Sequence, residues 1–392
     1  MASASSSSSL LAHASLHRHE FSTEHLVSDF TLRNACVLYR TSSHRKKLQF
    51  VSLDGTTAII HGFSEYRFGF IRLATVRTPT SLAEERTLRN SCRWNRLALA
   101  IPFTANNLYH ALFHAVPAFE SLTQHSNGNN VSFVPLLSNS AGVGRKLLST
   151  DGAWRAWELL VRAFTLDSSS TIASSLDDLL WREPCMCFER VHGSSAPFTP
   201  SAPSSAPRIR AWRSVVLHNV GSGAVPLSPT ILYIRRSRTR VLLNEAELTR
   251  SLALMSAIDL AALPLSEQLI RISNARGLIG VHGQALALIP FLAANLKPSD
   301  KAAVLEVLPP PVDGDKCNGR ACETNPFKHT YEELSQAMRN VLHLTVTGRL
   351  APPCEARSLR LKLEMRLKCN LTVAPARFAM KVARLRSFIG LT

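Results

Sequence analysis

Between residues 208 and 350, short apolar runs of strand length alternate with stretches of helical periodicity. That alternation constrains the fold more than any other feature of the chain. Val215-Val216-Leu217 and Ile231–Ile234 read as strands. Asn244–Ser256 reads as a helix, with Asn244 as its cap and Glu245 and Glu247 in its first turn. Ser266 can cap a helix running through Asn274. Gly277–Val281 is a buried strand that ends in a His282-Gly283 turn, and Gln284–Leu292 follows as a helix. Ala303–Leu308 is a further strand, stopped by Pro309-Pro310-Pro311, and Tyr331–Asn340 is again helical. Such a pattern predicts a doubly wound α/β sheet with parallel strands.

The 392 residues exceed one ordinary compact domain, and 45% hydrophobic content suffices for a substantial core. Serine, alanine and four prolines replace the apolar rhythm from Gly193 to Pro207, which marks a linker at 193–207. It separates a first lobe, 31–192, from a second, 208–350. A serine-rich, acid-free start predicts a disordered or targeting tail over 1–30. In the first lobe, Thr57–Ile60 and Val131–Val134 read as strands. Asn107–Leu122 reads as a helix through Leu108, Leu112, Ala115 and Phe119, kinked or divided at Pro117, and Trp154–Phe164 as a second helix. Residues 351–392 form a basic extension: Leu359 to Leu367 alternate with charged residues as a half-buried strand does. Ala376–Ile389 is an amphipathic helix with Phe378, Val382 and Leu385 on one face. No apolar run approaches the roughly 18 residues of a membrane-spanning helix.

A net charge of +17, from 45 Lys and Arg against 28 Asp and Glu, attracts anionic partners at long range. The basic residues are spread along the chain without a zinc-finger, basic-zipper or stacking-platform signature, so nucleic acid is not the expected partner. Eight cysteines are too few for a dense disulfide framework. Cys317 and Cys322 fit a small disulfide loop or two thiols equally well. Cys185-Met186-Cys187 with His192 offers too few ligands for a closed zinc site, which leaves buried or free cysteines as the expectation. Asn130-Val131-Ser132 and Asn370-Leu371-Thr372 are glycosylation sequons. Asp313-Gly314-Asp315 reads as a solvent-facing turn rather than a metal site.

Ligands of doubly wound sheets lie beyond the carboxyl ends of strands. Three such edges carry polar chemistry here. Arg235, Arg236, Arg238 and Arg240 follow one strand, His282 and Gly283 follow another, and Glu306 lies near the end of a third. Guanidinium groups and a permissive glycine backbone suit a diphosphate, and a strand-end carboxylate suits the two hydroxyls of a ribose.

In their order along the chain these segments resemble successive motifs of family 61 glycosyltransferases. They are Ile234-Arg235-Arg236, Arg240 to Leu248, Ser266-Glu267-Gln268, Gly280-Val281-His282-Gly283 and Leu305-Glu306-Val307. Asn106 to Leu112 resembles the family's first-lobe segment, in which an Asn and aromatic residues precede a His. The resemblance implies two Rossmann-like lobes of GT-B type with a cleft between them. It implies an inverting, metal-independent transfer, without a cofactor, of a xylose or N-acetylglucosamine class sugar from a UDP-sugar donor to a glycan or glycoprotein acceptor. The expected compartment is the Golgi or endoplasmic reticulum lumen. Donor binding falls on Arg235, Arg236, Arg240, His282, Gly283 and Glu306, and the catalytic base on His110. Where the family continues His-Gly-Ala-Gly-Leu-Thr-Asn, this chain has His282-Gly283-Gln284-Ala285-Leu286-Ala287-Leu288. That departure keeps a second reading open, a catalytically inactive GT-B-like protein that binds a glycan or polyanion.

Overall fold

The computed structural model describes residues 29–42, 45–64, 69–103, 116, 119–120, 131–137, 185–194, 205–221, 230–250, 255–293, 301–310, 316–317, 320–321, 328–338, 340–352, 354 and 369–391. Within these residues the protein is mixed α/β, built on two main sheets. The predicted helix Trp154–Phe164, the strand Leu359–Leu367, the Asp313-Gly314-Asp315 turn, and all of Asn107–Leu122 except Val116, Phe119 and Glu120 lie outside the described residues.

The first sheet contains β1 (Asp29–Ser42), β2 (Arg45–Ser52), β3 (Ala58–Ser64), β4 (Gly69–Arg77), β5 (Arg93–Phe103), β6 (Val131–Leu137) and β7 (Cys185–Ser194), in the order β3-β4-β2-β1-β7-β5-β6. Its β1–β2, β1–β7 and β3–β4 ladders are antiparallel, whereas β2–β4, β5–β6 and β5–β7 are parallel. A mixed sheet departs from the all-parallel sheet expected of a Rossmann-like lobe. The cause is local: β1 and β2 are too close in sequence for the crossover that a parallel pair requires. The expectation of buried or free cysteines at Cys185 and Cys187 is also corrected. Cys187 is bonded to Cys36 across the β1–β7 ladder, and Cys185 to Cys92.

One helix, α1 (Leu82–Ser91), links β4 to β5. Ser81 caps it by accepting from the Glu84 amide at 3.1 Å. The Glu84 carboxylate turns back to accept from Arg77 Nη1 at 2.9 Å and from the Thr80 amide at 2.6 Å. The Arg77 hydrogen bonds, reinforced by Thr80, hold the carboxyl down at about 2. A depressed carboxyl stabilises the fold above its unfolded value, so this contribution is lost as pH falls from about 4.5 towards 2. Acid unfolding followed by circular dichroism is expected to show this loss in the natural chain. Glu84→Gln should flatten the dependence over that interval.

The second sheet is wholly parallel. Its strands β8 (Thr230–Ile234), β9 (Met255–Ile258), β10 (Ala275–Val281) and β11 (Ala302–Leu308) are followed by the two-residue pair β12 (Lys316–Cys317) and β13 (Arg320–Ala321), then by β14 (Val341–Thr347). The order β14-β11-β10-β8-β9 reverses direction between β8 and β10. That reversal is a topological switch point, where the loops leaving two neighbouring strands diverge and open a crevice.

Apolar side chains cover both faces of this sheet. On one face Leu232, Leu278 and Val304 meet α2 (Ser205–Asn219), α4 (Leu265–Ser273), a 3-10 helix at Gln284–Phe291 and α5 (Lys328–Gln336). Val116 and Phe119 join this core. On the other face Tyr233, Ile279 and Leu305 meet α3 (Glu245–Arg250) and α6 (Pro375–Phe388). The amphipathic stripe predicted near the C-terminus is therefore found on α6: Phe378, Val382 and Leu385 are all buried. Part of the basic extension thus belongs to the core of this sheet.

Several expectations are corrected. Val215-Val216-Leu217 is helical, inside α2, because Ile209, Trp212 and Val216 recur at helical spacing and bury one face. Each fully buried apolar side chain stabilises by roughly 1.5–3 kcal/mol, which overrides the weak β preference of two valines. Asn244–Ser256 divides into the short α3 and the edge strand β9. Asn244 spends its amide on the Val373 backbone, donating to the carbonyl at 2.8 Å and accepting from the N–H at 3.2 Å. Ser266 lies inside α4, whose N-cap position is Pro264. The Gln284 helix is 3-10, with Pro290 inside it.

Candidate site at the switch point

Backbone geometry brings the two strand-end motifs together. Gly280 of β10 stands beside Ile234 of β8 in the parallel register, so the segments that follow, Arg235–Arg240 and His282-Gly283, flank the same opening. The His282 amide donates to the Val307 carbonyl at 2.9 Å, which carries the β10–β11 pairing one residue past the strand. Arg240 has φ 55, a left-handed conformation costly for a residue with a β-carbon. Its loop is clamped from behind: Val241 N–H donates to Asn370 Oδ1 at 3.1 Å, and Leu371 N–H donates to the Val241 carbonyl at 2.9 Å. The Asn370 sequon is thus part of this clamp, and Leu371 is fully buried. Asn130 lies outside the described residues.

The arginines divide sharply. Arg235 points outward and pairs with Glu245 through Nε at 2.7 Å, with 55% of its side chain exposed, so it does not join the other two. Arg236 is half-buried. Its Nε donates to the Thr239 carbonyl at 2.8 Å and its Nη2 to Thr239 Oγ1 at 3.3 Å. Arg240 Nη1 donates to the His282 carbonyl at 2.6 Å, while its buried Nε has no hydrogen-bond partner among the described residues. A β-carbon placed on Gly283 would lie 2.1 Å from Arg236 Nη1 and 3.4 Å from Arg240 Nη2. Both guanidinium groups therefore converge on the backbone of Gly283.

No carboxylate among the described residues forms an ion pair with Arg236 or Arg240. Burial pulls both below the usual arginine value, and Arg240, which also feels the charge of Arg236, is brought to about 10. Two adjacent, desolvated cations without a counter-ion are costly, by several kcal/mol per ion before compensation. A bound anion would supply the missing charge. Gly283→Ala is therefore expected to push Arg236 aside and weaken binding of a diphosphate about tenfold, the equivalent of roughly 1.4 kcal/mol. Titration calorimetry with UDP reads the loss, and an unchanged circular dichroism spectrum shows that the fold is intact.

Glu306 occupies a different position from the ribose-binding one expected. Its side chain is fully buried within β11, with Oε1 2.6 Å from His282 Nδ1 and Oε2 2.9 Å from His343 Nε2. Both oxygens are engaged by imidazoles. The His282 ring also packs against the Tyr331 ring, tilted by 57° with centroids 5.2 Å apart. Tyr331 donates its hydroxyl hydrogen to the Gly283 carbonyl at 2.7 Å, which fixes the turn. His343, Tyr331 and Thr239 were not identified in the sequence. His343 sits on the neighbouring strand β14, and no spacing in the chain connects it to Glu306. His110 lies outside the described residues. Among the described residues no group of three or more His, Cys, Asp or Glu side chains is placed to hold a metal ion. No helix among them is long and apolar enough to cross a membrane. No protein-family model matches the chain, and no curated protein matches it.

Proposed function

We infer that the protein binds a nucleoside diphosphate at the switch point and transfers a sugar from a UDP-sugar to a glycan or glycoprotein acceptor, as an inverting glycosyltransferase of GT-B type. The observation that carries this reading is the pair Arg236 and Arg240, half-buried side by side against Gly283 with no ion-pairing carboxylate among the described residues. Inversion requires stabilisation of a departing diphosphate, and preorganised cations in a water-poor site provide it most strongly. In this reading Arg236, Arg240 and the His282-Gly283 backbone hold the diphosphate, Glu306 positions His282, and His110 takes the proton of the acceptor hydroxyl as that oxygen attacks the anomeric carbon. Three disulfides among the described residues support an oxidising compartment such as the secretory lumen.

A second reading, a GT-B-like protein that binds a glycan or polyanion without turnover, is favoured by the segment after Gly283. Leu286, Ala287 and Leu288 are fully buried in the core, so these three residues present no polar side chain to a ligand. Incubation with UDP-xylose and UDP-N-acetylglucosamine in the presence of glycoprotein acceptors separates the two readings. Release of UDP with product formation, reduced by His110→Ala, is the expected result. UDP binding without transfer from any donor would leave the silent binder, and unchanged turnover in His110→Ala would remove that residue as the base.

A further inference from the structure

Behind the loop that carries Arg240, the sequon Asn370-Leu371-Thr372 has a geometry that its sequence alone does not give. Leu371–Thr372 forms the short strand β16, antiparallel to β15 (Arg349–Leu350). Successive side chains of a strand point to opposite faces. Cys369, Leu371 and Val373 are buried, whereas Asn370 and Thr372 between them are only partly covered. The alternation therefore sets the asparagine and the hydroxyl residue of the sequon on one outward side. The backbone is fixed around them: the Asn370 carbonyl accepts from the Ala351 N–H at 2.9 Å, the Leu371 carbonyl accepts from the Leu243 N–H at 2.9 Å, and Cys369 is bonded to Cys354. The Asn370 amide is oriented as well. A backbone N–H only donates, so the atom that meets Val241 N–H at 3.1 Å is Oδ1. Nδ2 has no hydrogen-bond partner among the described residues and is not buried, so it opens to solvent.

We propose that Asn370 is a modification site and carries an N-linked glycan. Its donor is an oligosaccharide held on a lipid diphosphate. Nδ2 forms a bond to the anomeric carbon of that oligosaccharide, and the bond from this carbon to the diphosphate oxygen breaks. The lipid diphosphate leaves with the electron pair, and Nδ2 gives up one of its two hydrogens as a proton. One N–H remains, and Oδ1 keeps its hydrogen bond to Val241, so the glycan is compatible with the clamp behind Arg240. The three disulfides among the described residues support passage through an oxidising compartment, where sequons of exposed segments are modified. Neither the arginine pair nor UDP enters into this site. An asparagine kept only for the clamp would need no hydroxyl residue two positions on, which makes Thr372 the discriminating residue.

Peptide mass spectrometry of the full chain, expressed in eukaryotic cells, reads the site directly. The peptide that contains Asn370 is expected to carry a glycan, and release by a glycan amidase in heavy-oxygen water should convert Asn370 to a labelled aspartate. Thr372→Ala should abolish the modification and Thr372→Ser should retain it. Both variants keep Asn370 and its bond to Val241, so the loss follows the sequon rather than the clamp. The peptide of the natural chain decides the matter even where a variant fails to fold. An unmodified Asn370 in a chain whose Cys36–Cys187, Cys92–Cys185 and Cys354–Cys369 bonds have formed would overturn the proposal. So would an unmodified Asn370 in a chain whose cysteines are all thiols, or a glycan that persists in Thr372→Ala.

Discussion

Arg240→Met is expected to weaken UDP binding by about 100-fold or more while leaving the melting temperature unchanged or raised. The two effects arise from one property, a half-buried cation whose buried Nε has no hydrogen-bond partner among the described residues. Removing one member of a desolvated, hydrogen-bonded charge pair costs roughly 2–5 kcal/mol of binding, and each 1.4 kcal/mol is about tenfold. In the unliganded fold the same guanidinium is a burden, because no carboxylate among the described residues offsets its desolvation. The methionine stem replaces its packing, and the lost hydrogen bond to the His282 carbonyl, about 1–3 kcal/mol, is balanced by relief of that burden. An arginine kept only for structure would give the opposite pattern. Affinity within threefold of the natural chain, or a marked fall in melting temperature, would show that Arg240 serves the fold rather than the ligand.

The largest expected effect on stability lies in the first sheet. Cys92→Ala combined with Cys185→Ala is expected to cost roughly 3–5 kcal/mol, since a cross-link between residues 93 apart in sequence removes much of the freedom of the unfolded chain. The bond ties the end of α1 to the start of β7, and Cys36–Cys187 joins β7 to β1 at the centre of the same sheet. Replacing both pairs should leave β1, β2 and β7 unprotected in hydrogen exchange, while β10 and β11, buried along nearly their whole length, keep their protection. A denaturant midpoint for Cys92→Ala/Cys185→Ala equal to that of the natural chain would contradict the assignment.

What the sequence made legible was the part of the fold that is buried on both sides. β10 and β11 read correctly because a central parallel strand is an uninterrupted apolar run. Helix α6 read correctly because one face carries the whole apolar stripe. β9 was missed: Met255-Ser256-Ala257-Ile258 is four residues long and is defined only by its pairing with β8. The cysteine partners were missed for a similar reason, since residues 93 and 151 apart in the chain leave no trace in local spacing.

The site was half legible. Its strand-end position followed from the alternation of elements, and Arg236, Arg240, His282 and Gly283 do meet there. Which arginines meet was beyond the sequence. Arg235 and Arg236 are adjacent, and side chains at the end of a strand point to opposite sides, so one finds Glu245 and the other Thr239 and the Gly283 turn. Glu306 was correctly singled out as a carboxylate near a strand end. Its burial between His282 and His343 depends on β10, β11 and β14 lying side by side, which only the assembled sheet determines.

The central claim is that Arg236 and Arg240 are the two halves of a diphosphate clamp closed by the Gly283 backbone. A crystal structure of the protein with UDP tests it most directly. The account predicts the diphosphate at the switch point between β8 and β10, with oxygens within hydrogen-bond distance of both guanidinium groups and with the Arg240 Nε partnered. A diphosphate bound elsewhere, with Arg236 and Arg240 arranged as they are here, would contradict it.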